Sequence, residues 1–173
     1  MMQISGNGTI EGLQVGGLPN ATVTQAEIAP NVSATGPAFR VYAASAVTAL
    51  SSTDTKINFD TKTDGVNSSF DTTSAFDLST DRFQPQVAGY YYISGLITVV
   101  SSDKQVIASI RRNGTLLTVG PQIPTAARTG VSDLIYLNGT TDYVELFGFS
   151  SPAQNTAAGP ASTYFSGYLA RAA

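Results

Sequence analysis

Tyr90-Tyr91-Tyr92-Ile93-Ser94-Gly95-Leu96-Ile97-Thr98-Val99-Val100 is a run of aromatic and β-branched residues without a proline. Residue types of this kind fit a pleated surface and read as a strand. Successive side chains of a strand point to opposite faces, so Tyr91 and Ile93 face one way and Tyr90 and Tyr92 the other. Both sets are apolar or aromatic. A sheet with one wet side alternates between apolar and polar, and this strand does not. One of its faces belongs to a core, and the other is expected to be covered by a subunit.

The same text continues on either side. Phe39–Ala43, Lys56–Asp60, Gln105–Arg112, Val131–Leu137, Tyr143–Phe149 and Tyr164–Arg171 are further strand candidates, separated by Gly, Asn, Asp, Ser and Pro. Asn113-Gly114 and Asn138-Gly139 are the strongest short hairpin signals. The second predicts that Ser132–Leu137 and Tyr143–Phe149 pair antiparallel. No segment beyond a turn or two has helical periodicity, so the expectation is an all-β sandwich or barrel. In Tyr143–Phe149 the residues Tyr143, Phe147 and Phe149 face away from Val144 and Leu146. In Tyr164–Arg171 the residues Tyr164 and Tyr168 face away from Phe165 and Leu169. The expected core is Phe39, Ile57, Phe59, Phe83, Tyr91, Ile93, Ile110, Val144, Leu146, Phe165 and Leu169. The expected subunit interface is Tyr143, Phe147, Phe149, Tyr164 and Tyr168.

Composition agrees with a covered surface. Of the 173 residues only 12% are charged, about half the ~25% usual in soluble domains. Net charge is −3, and the six arginines and three lysines form no stripe, so nucleic acid is not an expected partner. Cys, His and Trp are absent, which removes disulfides, thiolate or imidazole metal sites and Cys or His catalysis. The opening MMQISGNGTIEG has neither a basic nor an apolar region, and no signal peptide or membrane insertion is expected.

Residues 1–37 read differently from residues 38–173. They are rich in Gly and Pro and contain no aromatic residue, so they build no core of their own. Apolar residues recur nonetheless. The expectation is an extended N-terminal attachment arm docking through Leu13, Val15, Leu18, Val23 and Ile28, with Thr24–Glu27 at capping-box spacing.

Arg82-Phe83-Gln84-Pro85-Gln86-Val87-Ala88-Gly89-Tyr90-Tyr91-Tyr92-Ile93-Ser94 resembles the signature strand of the complement-subcomponent-q globular head, in the tumour-necrosis-factor-like superfamily. Gly36-Pro37-Ala38-Phe39 resembles the opening strand of that family and Lys56-Ile57-Asn58-Phe59-Asp60 the second. Tyr164-Phe165-Ser166-Gly167-Tyr168-Leu169 resembles its closing strand, and Arg112-Asn113-Gly114 its Lys-Asn-Gly turn. The likeness covers about residues 36–171. It implies a jelly-roll β-sandwich that trimerises through one sheet. Two departures are the absence of the Cys common in animal members and of a collagen stalk. Gly12–Pro19 followed by Thr22–Ala29 is similar to linkers in tail-fibre and other appendage proteins of bacteriophages, many of which end in this jelly roll.

Other constellations carry less. Asp54, Asp60, Asp64, Asp71, Asp77 and Asp81 crowd one connection, and some members of the family bind calcium. The spacing matches no dedicated calcium loop, so a solvated acidic loop and no cofactor are expected. Asn-X-Ser/Thr occurs at Asn7, Asn20, Asn31, Asn67, Asn113 and Asn138, of which Asn113 and Asn138 already have turn roles. No pair of carboxylates lies in a convincing local pattern for catalysis, so no enzyme is expected. Recognition is placed on the connections Gly120–Arg128 and Ser150–Ser162, through Gln122, Arg128, Gln154 and Asn155, with a host-surface glycan or another coat subunit as ligand.

The combined expectation is a homotrimeric, non-enzymatic structural protein on the surface of a bacteriophage virion. Its arm would bind other virion proteins, and its head would serve as a short tail fibre or receptor-binding tip, or as a capsid decoration or cement protein. A secreted or surface-bound lectin-like adhesion module of a bacterium is the alternative.

Overall fold

The computed structural model of the chain describes residues 3–4, 10–11, 36–64, 68–101, 105–125 and 127–173. Two compact units are present, Met1–Thr35 and Gly36–Ala173. In the first, β1 (Gln3–Ile4) pairs antiparallel with β2 (Ile10–Glu11). The docking residues expected in the arm, Leu13, Val15, Leu18, Val23 and Ile28, lie outside the described residues, as does the capping-box segment. Gly36 and Pro37, assigned to the arm from sequence, belong to the head: the Pro37 carbonyl accepts a hydrogen bond from Leu169 N at 2.9 Å.

The head is built of strands, with no helix among the described residues. In chain order these are β3 (Ala38–Tyr42), β4 (Ala49–Leu50), β5 (Thr55–Lys56), β6 (Phe70–Asp71), β7 (Phe76–Asp77), β8 (Arg82–Phe83), β9 (Gly89–Thr98), β10 (Gln105–Arg112), β11 (Thr115–Val119), β12 (Arg128–Leu137), β13 (Val144–Ser151), β14 (Gln154–Asn155) and β15 (Tyr164–Ala172). One sheet runs β11-β10-β13-β8-β7, with β5 also on β13. The other runs β12-β9-β15-β3-β6, and β14-β4 forms a small third sheet. The two main sheets face each other as a jelly-roll sandwich.

Alternation drives this arrangement. Along β9 the odd residues Tyr91, Ile93 and Ile97 are buried while Tyr90 and Tyr92 are exposed. Phe39 sits at the centre of the core, its ring 4.1 Å from Phe83 and 5.5 Å from Phe76, with Phe165 edge-on at 5.3 Å. Offset and edge-on pairs of this kind add to the burial term. Ten of the eleven core residues expected from sequence are buried, and Leu169 packs against them half-buried. Phe76 is buried too but stands in a strand too short to show a period.

The Asn113-Gly114 turn joins β10 to β11, with φ of 54° and 78°, as a tight hairpin turn requires. Asn138-Gly139 behaves differently. The expected pairing of Ser132–Leu137 with Tyr143–Phe149 is not made: β12 pairs with β9 in one sheet and β13 with β10 in the other. The turn crosses from sheet to sheet. Asn138 Oδ1 accepts from the backbone N–H groups of Thr140, Thr141 and Asp142, folding the chain into a longer connection than a hairpin allows. Gly139 has φ 72°, and a Cβ there would meet Ala88 N at 2.4 Å. A glycine signal placed for close approach thus mimics the signal for a hairpin.

Two further segments depart from expectation. Lys56–Asp60 is paired as a strand only at Thr55–Lys56, although Ile57 and Phe59 are buried. Ser150–Ser162 is not one open connection, because β13 runs to Ser151 and β14 pairs with β4.

Candidate functional site

The strand order β12-β9-β15-β3-β6 turns one whole sheet face outward. Register lines up its residues in rows. Tyr136, Tyr90 and Arg171 form the first row, and Leu134, Tyr92, Tyr168 and Ala38 the second. Ser132, Ser94, Ser166, Arg40 and Phe70 follow, then Gly130, Leu96, Tyr164 and Tyr42. The first two rows are the apolar end. Tyr90, Tyr92, Leu134, Tyr136 and Tyr168 are between 40% and 56% exposed. The rings pair across strands, Tyr90 with Tyr136 at 5.5 Å and Tyr92 with Tyr168 at 5.8 Å. A shallow cleft of about 250 Å³ opens beside Tyr92, Tyr168, Phe70 and Arg40.

Of the five residues expected at a subunit interface, Tyr164 and Tyr168 stand on this face. Tyr143, Phe147 and Phe149 do not, and the expectation of one shared face is corrected. They belong to the outer side of the opposite sheet, since β13 and β15 lie in different sheets. Two of those rings are already covered by the chain's own arginines: Arg82 lies 4.1 Å over Tyr143 and Arg111 lies 4.2 Å over Phe147. Arg82 Nε also donates to Glu145 Oε1 at 2.9 Å, with Lys56 Nζ at 3.5 Å from the same oxygen. Glu145, polar and buried on an outer face, is the anchor of this cover. Its hydrogen bond raises the Arg82 pKa above the ordinary value.

Tyr90 and Tyr92 were legible as the outward side of their strand. Leu134 and Tyr136 join them on this face, and their alternation with Ile135 and Leu137 is the signal for it in the sequence. The Asn138-Gly139 signal masks it, because it points the strand toward Tyr143–Phe149, which lies in the opposite sheet.

The two expected recognition loops meet at the far end of β9. Val99 N donates to Ala127 O at 2.7 Å and Val100 N to Asn155 O at 3.2 Å. Gln122 and Asn155 are exposed, Arg128 opens β12 exposed, and Gln154 is half-buried in β14.

The acidic connection is occupied by its own backbone. Burial works to raise the Asp60 pKa, but the N–H groups of Ala44, Ser45 and Ala46 outweigh it and lower the carboxyl to about 2. Asp71 accepts from Ala75 N and Phe76 N, and Asp81 from Phe59 N. Among the described residues no group of three or more acidic side chains converges as a metal site.

The head is therefore an all-β jelly roll with an aromatic outer face. Several solved structures share this fold. The globular domain of the zebrafish complement 1qA protein superposes with a TM-score of 0.57 at 16% identity, covering 80% of this chain and 99% of that one. Eiger TNF from S. frugiperda gives 0.55 at 10% identity, covering 80% and 94%. Murine APRIL gives 0.57 at 10%, covering 78% and 99%. No protein-family model and no curated protein matches the sequence.

Proposed function

We propose that the chain is a non-enzymatic homotrimeric head whose subunits meet through the aromatic end, the first two rows, of the outward face of the β12-β9-β15-β3-β6 sheet. The observation that carries this is the exposed aromatic end of that face, Tyr90, Tyr92, Leu134, Tyr136 and Tyr168. Contiguous apolar patches on a soluble surface mark interaction sites, and tyrosines are enriched where interfaces bury an apolar ring with a polar tip. The cleft beside Tyr92 and Tyr168 offers a socket for a neighbouring side chain. Three copies is the number that the resemblance to complement-q-like heads implies. Light scattering of the full chain gives three times the monomer mass on this reading, and a stable monomer overturns it.

The assembly is read as a surface appendage of a bacteriophage virion, held by its N-terminal arm. The support is the likeness of residues 12–29 to phage appendage linkers together with the low charge. A tail position makes the head a receptor-binding tip, and a capsid position makes it a decoration protein. Purified particles labelled with antibody against the head distinguish the two. A chain absent from particles overturns the reading in favour of an adhesion module.

A further inference from the structure

We propose that a polar recess on the same outward face, at the Thr98 end of β9, binds a neutral, hydroxyl-rich ligand, a glycan residue. The proposal rests on the reading of the chain as a binding head. The recess has a volume of about 420 Å³ and is walled by Ser94, Leu96, Gly130, Ser132, Tyr164 and the Gly120 turn after β11. That size is within the range of small-ligand sites. Leu96 stands six residues from Tyr90, roughly 20 Å along the strand at the usual rise per residue. A ligand here therefore leaves the Tyr90–Tyr136 pair free.

Its chemistry selects the ligand. No charged side chain lines the recess, so it offers nothing to neutralise a phosphate, carboxylate or cation. Ser94 and Ser132 lie directly across from each other in the β9–β12 register. Neither serine side-chain oxygen makes a hydrogen bond with another group among the described residues. A hydroxyl both donates and accepts, so this pair matches a ligand that presents hydroxyls. The aromatic wall is Tyr164, steadied by the Arg40 guanidinium 4.4 Å from its ring centre. Thr129 Oγ1 donates to Pro121 O at 3.3 Å, holding the Gly120–Pro121 wall of the recess to β12.

Gly130 supplies an independent argument. Glycine within a strand weakens it, and it is retained where a ligand or another backbone comes close. The neighbouring Gly120 is required by packing, since a Cβ there would meet Gly130 O at 2.4 Å. Gly130 is not: its Cβ would find only Gly95 O at 3.4 Å and a Leu96 methyl at 3.7 Å, ordinary contacts. The fold accepts a side chain at 130. The recess, into whose wall that side chain would be built, does not.

The test uses the full chain and a panel of neutral glucose, galactose and mannose oligosaccharides, with sialylated and sulfated oligosaccharides as charged controls. Saturation-transfer NMR reads binding, and light scattering reads mass on the same samples. The expected result is transfer to a neutral oligosaccharide, at least about tenfold weaker binding in Gly130→Val, and an unchanged mass. The double variant Ser94→Ala/Ser132→Ala keeps the strands' small residues and is expected to weaken binding about tenfold, the worth of one to two lost hydrogen bonds. Absence of binding by the wild type, preference for the charged controls, or unchanged binding in the double variant overturns the proposal. A Gly130→Val chain that changes mass also overturns it, because a second copy then fills the recess. A monomeric wild type that still binds the neutral oligosaccharide overturns the trimer and supports the recess.

Discussion

Tyr92 and Tyr168 stand side by side on adjacent strands, ring centres 5.8 Å apart and planes tilted by 44°, and both rings point away from the core. Their strands are fixed by Ile93 and Phe165 underneath, which are fully buried. The pair is thus a rigid apolar platform held by the fold but contributing little to it. Tyr92→Asp or Tyr168→Asp is expected to break the assembly to monomers, as central aromatic anchors at interfaces are worth about 2 kcal/mol or more. The monomers should keep their strand circular dichroism. Light scattering checks the first outcome and a spectrum the second.

Phe147 offers the contrast. Arg111 covers its ring from within the same chain, so no partner is needed there. Phe147→Ala should lower stability by about 1 kcal/mol through the lost cation–π contact and packing, with the mass in solution unchanged. Dissociation of the assembly would move the interface to the β13 face.

Phe83 is sandwiched between Phe39, at 4.1 Å, and Tyr91, at 5.7 Å. Phe83→Ala is expected to cost about 3–5 kcal/mol, because Phe39 and Tyr91 are held in the hydrogen-bonded sheet opposite Phe83 and relax little into the void. Chemical denaturation of the full chain measures this directly.

Glu145 accepts from two cations while buried itself. Glu145→Gln leaves both without their counter-charge, but Arg82 and Lys56 are about a third exposed (37% and 31%), and water takes over part of the role. The expected loss is about 2 kcal/mol, below the range for a fully buried pair. Arg82→Met should cost more than Lys56→Met, since its contact is 2.9 Å against 3.5 Å. Equal losses would show that the carboxylate is held by the Lys56 side as strongly.

Asp60 makes the head acid-sensitive in a predictable direction. Its carboxyl titrates near 2 in the fold against an ordinary value of 3.8. The unfolded chain therefore binds the proton more tightly. The stabilisation from this group is complete above pH 3.8 and is lost as pH falls toward 2. Asp60→Ala should flatten that part of the stability profile and cost about 1 kcal/mol at neutral pH, as for a lost cap. Melting curves across this acid range compare the two proteins.

The layer structure and the inside of the sandwich are legible in the order of residues alone. Strand alternation is a local, period-two property, so Tyr91, Ile93, Val144, Leu146 and Phe165 declare their common burial without knowledge of their neighbours. The Asn113-Gly114 hairpin was readable for the same reason, its two strands being consecutive. Which outer faces are joined follows from the folded arrangement of the strands. Phe147 and Tyr168 look equivalent in sequence, each an aromatic residue opposite a core position, yet β13 and β15 enter different sheets and their rings end on opposite sides of the molecule. What covers an outward ring depends on residues far away in the chain: Arg111 lies over Phe147, while Tyr168 has the Tyr92 ring beside it and stays about half exposed. Asn138-Gly139 shows the same limit, because a dipeptide that permits a turn does not say whether the next strand returns beside the last or crosses to the other sheet. That choice is made by burial summed over both sheets, a non-local quantity that no window of sequence contains.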